Sequence, residues 1–288
     1  MYKLGGIILK KIISIGAIFT LIFTLIFGSV ISFGQVSNIT EEKVEINEFQ
    51  WAKEMSLISE DELRNDGFTD SEIESIKNYK EIFDKHLNEI ALLPENQLKH
   101  LGYDEKQVIL FEEYSGLEEE MVILSASCDV TLDVDNFTYD GSKTKARLTS
   151  EFVWNGVPVF KMIDILALSW NNYVETGKTG QVTYRYIYGG KPDYTESASY
   201  LAPSGGMTSY GGGYYFDVSD ADNYYYTKSG YAIFVIERLG ENHLEAHTEY
   251  GHQKLIASLS FSVSGGADIS FTLGRTTEDS AHFGPTYP

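Results

Sequence analysis

Two patterns of apolar positions divide the chain. From about residue 41 to 120, apolar residues recur three and four apart in an acidic, glycine-poor background, which predicts amphipathic helices. From Met121 onward the period changes to two: Thr, Val and Tyr alternate with other residues, and Gly-Gly or Asn-Gly breaks separate the runs. That grammar predicts antiparallel strands. The acidic run Glu118-Glu119-Glu120 marks the change. The expectation is an α+β protein, a small helical N-terminal domain at 35–120 followed by an antiparallel β-sandwich at 121–288.

The helical part repeats itself. "ELRNDGFTDSEIESIKNY" (62–79) and "QLKHLGYDEKQVILFEEY" (97–114) align without a gap. Leu63 matches Leu98, Gly67 matches Gly102, Phe68 matches Tyr103, Ile73 matches Val108 and Ile76 matches Phe111. Each copy predicts a short helix starting near Ser59 or Pro94 and stopping at a left-handed glycine. The following aromatic residue folds back onto that helix. Thr69 with Glu72, and Asp104 with Gln107, then cap a second helix reciprocally. The pattern describes two helix-turn-helix units of a scaffold.

Several strands are legible further on. "RLTSEFVWNGVPVFKMIDILALSW" reads as a strand, an Asn155-Gly156 turn and a second strand ending at Trp170. In "QVTYRYIYGG", Val182, Tyr184, Tyr186 and Tyr188 fall on one face and Thr183, Arg185 and Ile187 on the other. "YAIFVIERLGENHLEAHTEYG" reads as a hairpin turning at Gly240-Glu241-Asn242. Between 255 and 273, serines alternate with Leu, Ala, Phe and Val on both sides of Gly265-Gly266. This spacing fits a sandwich of Greek-key or meander type.

The first residues alter the compartment. Lys3, Lys10 and Lys11 precede an apolar run at 12–33, and Ser32-Phe33-Gly34 has a small-x-small pattern. A signal peptide at 1–34 is expected, with a retained signal-anchor as the alternative, since the run is long enough to span a bilayer. Either places the bulk of the protein outside the cytoplasm. The formal charge is −20, and three of the lysines lie in that leader. So acidic a chain is repelled by phosphate backbones and anionic membrane surfaces, which argues against nucleic acid as a partner. The single cysteine, Cys128, lies in the apolar run "MVILSASCDV" and reads as a small core residue.

Candidate chemistry is sparse. His243, Glu245, His247 and Glu249 alternate, so on a strand they share one face but lie too far apart to meet at one zinc, and they read as a solvated polar face. Asp217, Asp220 and Asp222 in "FDVSDADN" offer oxygen ligands of the kind calcium takes in extracellular loops, without the ligand order of an EF-hand. No nucleophile elbow, zinc-protease helix, phosphate loop or Cys-His signature occurs, so the reading leans away from an enzyme and assigns no catalytic residue.

The tyrosines carry more information. Twelve of the 20 fall between Tyr184 and Tyr231. Those in "PSGGMTSYGGGYY" and "DNYYYTKSG" have the Tyr/Gly/Ser/Asn composition of adaptable contact loops. Tyr210, Tyr214, Tyr215, Tyr224, Tyr225 and Tyr226 are therefore the candidate ligand contacts.

The "LGY" turn of the helical region, the "FVWNGVPVFKMIDILALSW" segment and the "YGHQ" preceding the serine-alternating strands together look like a group of uncharacterised exported proteins of Gram-positive bacteria. The resemblance implies secretion and a sandwich-like C-terminal domain, and supplies no activity or site residues. The resulting expectation is a secreted, non-catalytic binding protein acting at the cell wall, a polysaccharide or a protein surface. The alternative is a secreted antibacterial or pore-forming toxin that inserts the 255–273 hairpin into a membrane.

Overall fold

A computed structural model describes residues 42–171, 173–201, 211–220, 222–240, 244, 246–252, 259–262 and 268–271. The apolar run at 12–33, Tyr210, His243, Glu245 and residues 255–258, 263–267 and 272–273 of the serine-alternating segment lie outside them. No helix among the described residues is long and apolar enough to cross a membrane.

Strand β1 (Glu42–Asn47) leads into seven helices of the described chain: α1 (Glu48–Ser56), α2 (Glu60–Asn65), α3 (Asp70–Lys77), α4 (Tyr79–Ile90), α5 (Glu95–Leu101), α6 (Glu105–Glu112) and α7 (Glu118–Leu124). Both repeat units form as their sequence demands. Gly67 and Gly102 take φ of +92° and +101°, a conformation that L side chains resist. The amides of Phe68 and Tyr103 then return to Leu63 and Leu98 oxygens at 3.0 and 3.2 Å. Glu72 accepts from the Thr69 amide at 2.7 Å, and Gln107 accepts from the Asp104 amide at 2.9 Å, closing both capping boxes. Leu63, Ile73 and Ile76 of the first unit and Leu98, Leu101, Val108 and Phe111 of the second are buried. Burying each such side chain contributes roughly 1.5–3 kcal/mol.

The remainder is antiparallel sheet. β2 (Ser127–Tyr139), β3 (Lys143–Asn155), β9 (Tyr225–Leu239), β5 (Val174–Tyr186) and β6 (Tyr194–Ser197) continue from β1 in the order β1-β2-β3-β9-β5-β6. A second sheet runs β10-β4-β8-β7, from β10 (Ala246–His252), β4 (Ile163–Trp170), β8 (Gly211–Asp217) and β7 (Ser199–Leu201). The inner faces meet through aromatic and hydroxyl pairs. Phe152 stacks on Phe216 with centroids 4.9 Å apart, Trp154 Nε1 donates to Tyr250 Oη at 2.9 Å, and Ser150 and Thr248 hydroxyls lie 2.5 Å apart. This is the sandwich-like arrangement expected. One continuous set of buried apolar residues runs from Ile46 and Phe49 through the helices to Phe234 and Tyr250, so helices and sheets share a core.

Asn155-Gly156 ends β3 and a further strand runs to Trp170 as read, that strand, β4, joining the other sheet. Two readings need correction. The chain also changes sheet after Leu239, where a hairpin was expected: β9 pairs with β3 and β5, whereas β10 pairs with β4. Period-two patterning fixes which face a residue takes, not which strand it pairs with. Nor is the 247–249 face solvated: His247 and Glu249 are both buried. They lie opposite the inward-facing Thr248 and Tyr250, on a sheet face against which a further hairpin runs. That hairpin is β11 (Leu259–Ser262) and β12 (Asp268–Phe271), near β8, β4 and β10.

Candidate functional site

The helical region meets the sandwich first at the loop of residues 156–162, between β3 and β4. Glu48, the first residue of α1, is 1 % exposed, and its carboxylate accepts from the amides of Val159 at 2.9 Å and Phe160 at 2.7 Å. His86 of α4 donates from Nε2 to the Val157 oxygen at 3.1 Å. Burial holds the imidazole neutral and lowers its pKa to about 4, against the opposing attraction of Glu48. Tyr103 supplies the third tie, its hydroxyl accepting from the Val157 amide at 3.2 Å. Desolvation pushes that phenol upward. Three side chains from the helical region thus satisfy the polar backbone of a sheet crossover that has no strand partner.

The second helical unit also grips the turn that follows β5. Gln97 of α5 donates to the Ile187 oxygen at 2.8 Å. Arg185 donates to the His100 oxygen at 2.6 Å and pairs with Asp193 at 2.8 Å. The Tyr226 hydroxyl donates to the Leu101 oxygen at 3.2 Å. A second turn, 219–224, is zipped to the first by the Ile187 amide donating to the Tyr224 oxygen at 2.9 Å. Within it, Asp220 Oδ1 accepts from the amides of Tyr224 and Tyr225 at 2.9 and 3.0 Å, and Asn223 takes a φ of +59°.

These two turns gather tyrosines at the surface. The ring centroids of Tyr186, Tyr188 and Tyr224 form a near-equilateral triangle with sides of 5.9, 6.3 and 6.1 Å, the planes tilted 48–69° to one another. Tyr188 is 56 % exposed and Tyr224 49 %. Half-buried Tyr225 lies beside Tyr186 at 5.0 Å and against Tyr194 at 5.0 Å, and Tyr194 stacks on buried Tyr184 at 5.1 Å. The Lys191 ammonium sits over the Tyr186 ring, 4.4 Å from its centroid, and 5.8 Å from that of Tyr225.

Of the six tyrosines named from sequence, Tyr224 and Tyr225 belong to this cluster. Tyr214 and Tyr226 instead point inward, 5 % and 0 % exposed. Tyr214 covers Gly180 and packs 5.9 Å from Phe234, and its phenol is pushed up to about 12 by desolvation. Tyr215 is exposed but on β8, in the other sheet. Tyr210 lies outside the described residues. Conversely, the sequence does not single out Tyr186, Tyr188, Tyr194 and Lys191, which join the cluster, because Tyr186 and Tyr188 read as strand. The strand ends at Tyr186, and the phase then reverses: Ile187 is buried and Tyr188 exposed. Gly189-Gly190, both at positive φ, was the signal that Tyr188 belongs to a turn.

The acidic candidates take backbone roles. Asp220 is engaged by its own turn, and the Asp217 carbonyl accepts from Tyr184 and Thr227 hydroxyls at 3.0 and 2.7 Å. Asp222 is exposed beside them. Among the described residues, no group of three His, Cys, Asp or Glu side chains could hold a metal ion. Cys128 is wholly buried, and desolvation drives its pKa well above the usual thiol value, so its proton stays on. Asp164 accepts from Tyr250 within the same closed inner layer.

The architecture is therefore a helical region docked on an antiparallel sandwich-like body, with an aromatic surface at the junction. No family model matches the chain, and no curated protein matches it.

Proposed function

We propose that the protein is exported and acts outside the cell as a non-catalytic binding protein, with the Tyr186–Tyr188–Tyr224 cluster as its contact surface. The observation that carries this reading is the gathering of two half-exposed tyrosine rings around a third by turns whose backbone is held by Gln97 and Asp220, with Arg185 tying them to the helices; Gln97 and Arg185 donate, and the Asp220 carboxylate accepts. Tyrosine presents a large amphipathic area with little side-chain entropy to lose, and a pre-ordered cluster reduces the ordering cost of binding further. The ligand class is a cell-wall polymer, a polysaccharide or a protein surface. Pelleting of residues 35–288 with purified Gram-positive cell walls tests the reading. Wild type should pellet, and the Tyr188→Ala/Tyr224→Ala double variant should stay in the supernatant with an unchanged melting temperature.

A second reading, a pore-forming toxin, is favoured by one observation. β11 and β12 pair with Leu259 opposite Phe271 and Phe261 opposite Ile269, and Ser260 opposite Ser270. Among the described residues this is a two-stranded sheet of its own in which apolar and polar pairs alternate. Release of dye from lipid vesicles would support it; intact vesicles at saturating protein would remove it.

A further inference from the structure

We propose that the tyrosine cluster is a cage for a quaternary ammonium group, and that the Lys191 ammonium, held at its edge over the Tyr186 and Tyr225 rings, is a partial internal stand-in. The proposal rests on the reading of the cluster as the contact surface and names its ligand chemistry. A flat sugar-stacking platform would need near-coplanar rings. The three rings are instead tilted 48–69° to each other at nearly equal separations, which makes a corner rather than a plane. A cation lodged over the triangle lies within the roughly 6 Å of every centroid over which cation–π attraction acts. The structure already places a cation on one wall of the cluster, the Lys191 ammonium 4.4 Å from the Tyr186 centroid and 5.8 Å from that of Tyr225.

Charge favours the same ligand. The chain carries −20 overall, and Asp193, Asp220 and Asp222 lie on the two turns that hold the rings. Long-range attraction therefore concentrates organic cations at this surface and repels anionic ones. A trimethylammonium group also suits the site better than a primary amine. It sheds water at low cost and offers methyl surface to each ring, whereas an ammonium keeps its hydration shell. Exposed Lys191, on a flexible stem and with no ion pair among the described residues, can leave the rings when such a ligand arrives.

The test is titration of the full mature chain with choline, with its neutral isostere 3,3-dimethylbutan-1-ol as control, followed by tyrosine ring resonances. Choline should shift the Tyr186, Tyr188 and Tyr224 signals at least about tenfold more tightly than the alcohol, given the size of a cation–π contact. Tyr188→Ala and Tyr224→Ala should each weaken choline about five- to tenfold. Lys191→Met should tighten it severalfold, by removing the competitor. Phosphatidylcholine vesicles and a soluble choline-substituted polymer, each with free choline as competitor, distinguish a lipid from a polymer source. Equal binding of choline and the alcohol, or no shift in either wild type or Lys191→Met, overturns the cage. If wall pelleting then still depends on Tyr188 and Tyr224, the contact surface survives without it. If pelleting is indifferent to both rings, the two proposals fall together.

Discussion

The two helical repeat units are alike in sequence and unlike in what surrounds them. A β-carbon added at Gly67 would meet nothing within 4 Å. At Gly102 it would lie 2.9 Å from Lys228 Nζ and 3.2 Å from the Asn155 α-carbon. The aromatic residue after each glycine shows the same divergence. Phe68 closes its own helix pair, whereas Tyr103 packs beneath Gly156 and uses its hydroxyl on the Val157 amide. One added oxygen converts a scaffold turn into a docking point. The second unit goes on to hold the β5–β6 turn through Gln97 and the oxygens of His100 and Leu101, and so positions the tyrosine cluster. Like local grammar therefore specifies a shape, and the tertiary setting decides whether that shape docks on the sheets.

The docked side should respond most to loss of Glu48. Glu48→Ala removes the acceptor from two amides in a buried loop, at about 1–3 kcal/mol for each unsatisfied group. Thermal unfolding should show a loss of about 3–5 kcal/mol on that basis. A loss under about 1 kcal/mol would mean the helices do not depend on this loop.

The glycine pair sharpens the comparison directly. Gly67→Ala should cost about 1 kcal/mol, the strain of positive φ alone. Gly102→Ala adds displacement of backbone at Asn155 and should cost about 2–4 kcal/mol. Equal costs by denaturant titration would break the distinction between the units.

Next comes pH. His86 has a folded-state pKa lowered to about 4 from 6.5, because burial disfavours its charged form. The unfolded chain therefore binds the proton more readily than the folded one. Stability from the neutral ring is complete above pH 6.5 and is lost as pH falls through about 4. The loss is on the order of 3 kcal/mol. His86→Gln should flatten that part of the melting-temperature profile; an unchanged slope would place the acid sensitivity elsewhere.

Tyr103→Phe is the smallest test. It leaves the Val157 amide without its hydroxyl acceptor and should cost about 1–2 kcal/mol, whereas Phe68→Leu in the first unit should leave the sheet junction, monitored by hydrogen exchange at Val157, unchanged.

Much of this fold was legible in the chain. The capping boxes at Thr69 and Asp104 and the glycine stops are local chemistry, and local chemistry leaves its mark within a few residues. The inward face of Val182 and Tyr184 on β5 was legible too, because burial on one side enforces alternation. Strand partnership was not, since Asn155-Gly156 signals a reversal without saying which sheet receives the chain. His247 and Glu249 misled because a polar face reads as solvated whether or not another layer covers it. At the candidate site, composition points to Tyr224 and Tyr225, and the structure places both in the cluster. Tyr186 and Tyr188 were hidden by a strand pattern that ends one residue before the phase reverses. Tyr214 and Tyr226 share the Tyr/Gly-rich composition yet face the interior, which composition alone cannot distinguish.

The most direct test of the account is pelleting with Gram-positive cell walls, comparing wild type, Tyr188→Ala/Tyr224→Ala and Tyr215→Ala at matched thermal stability. The account predicts that wild type and Tyr215→Ala pellet alike, while the double variant remains soluble. Undiminished pelleting of the double variant would contradict it, because the exposed cluster would then not be the contact surface.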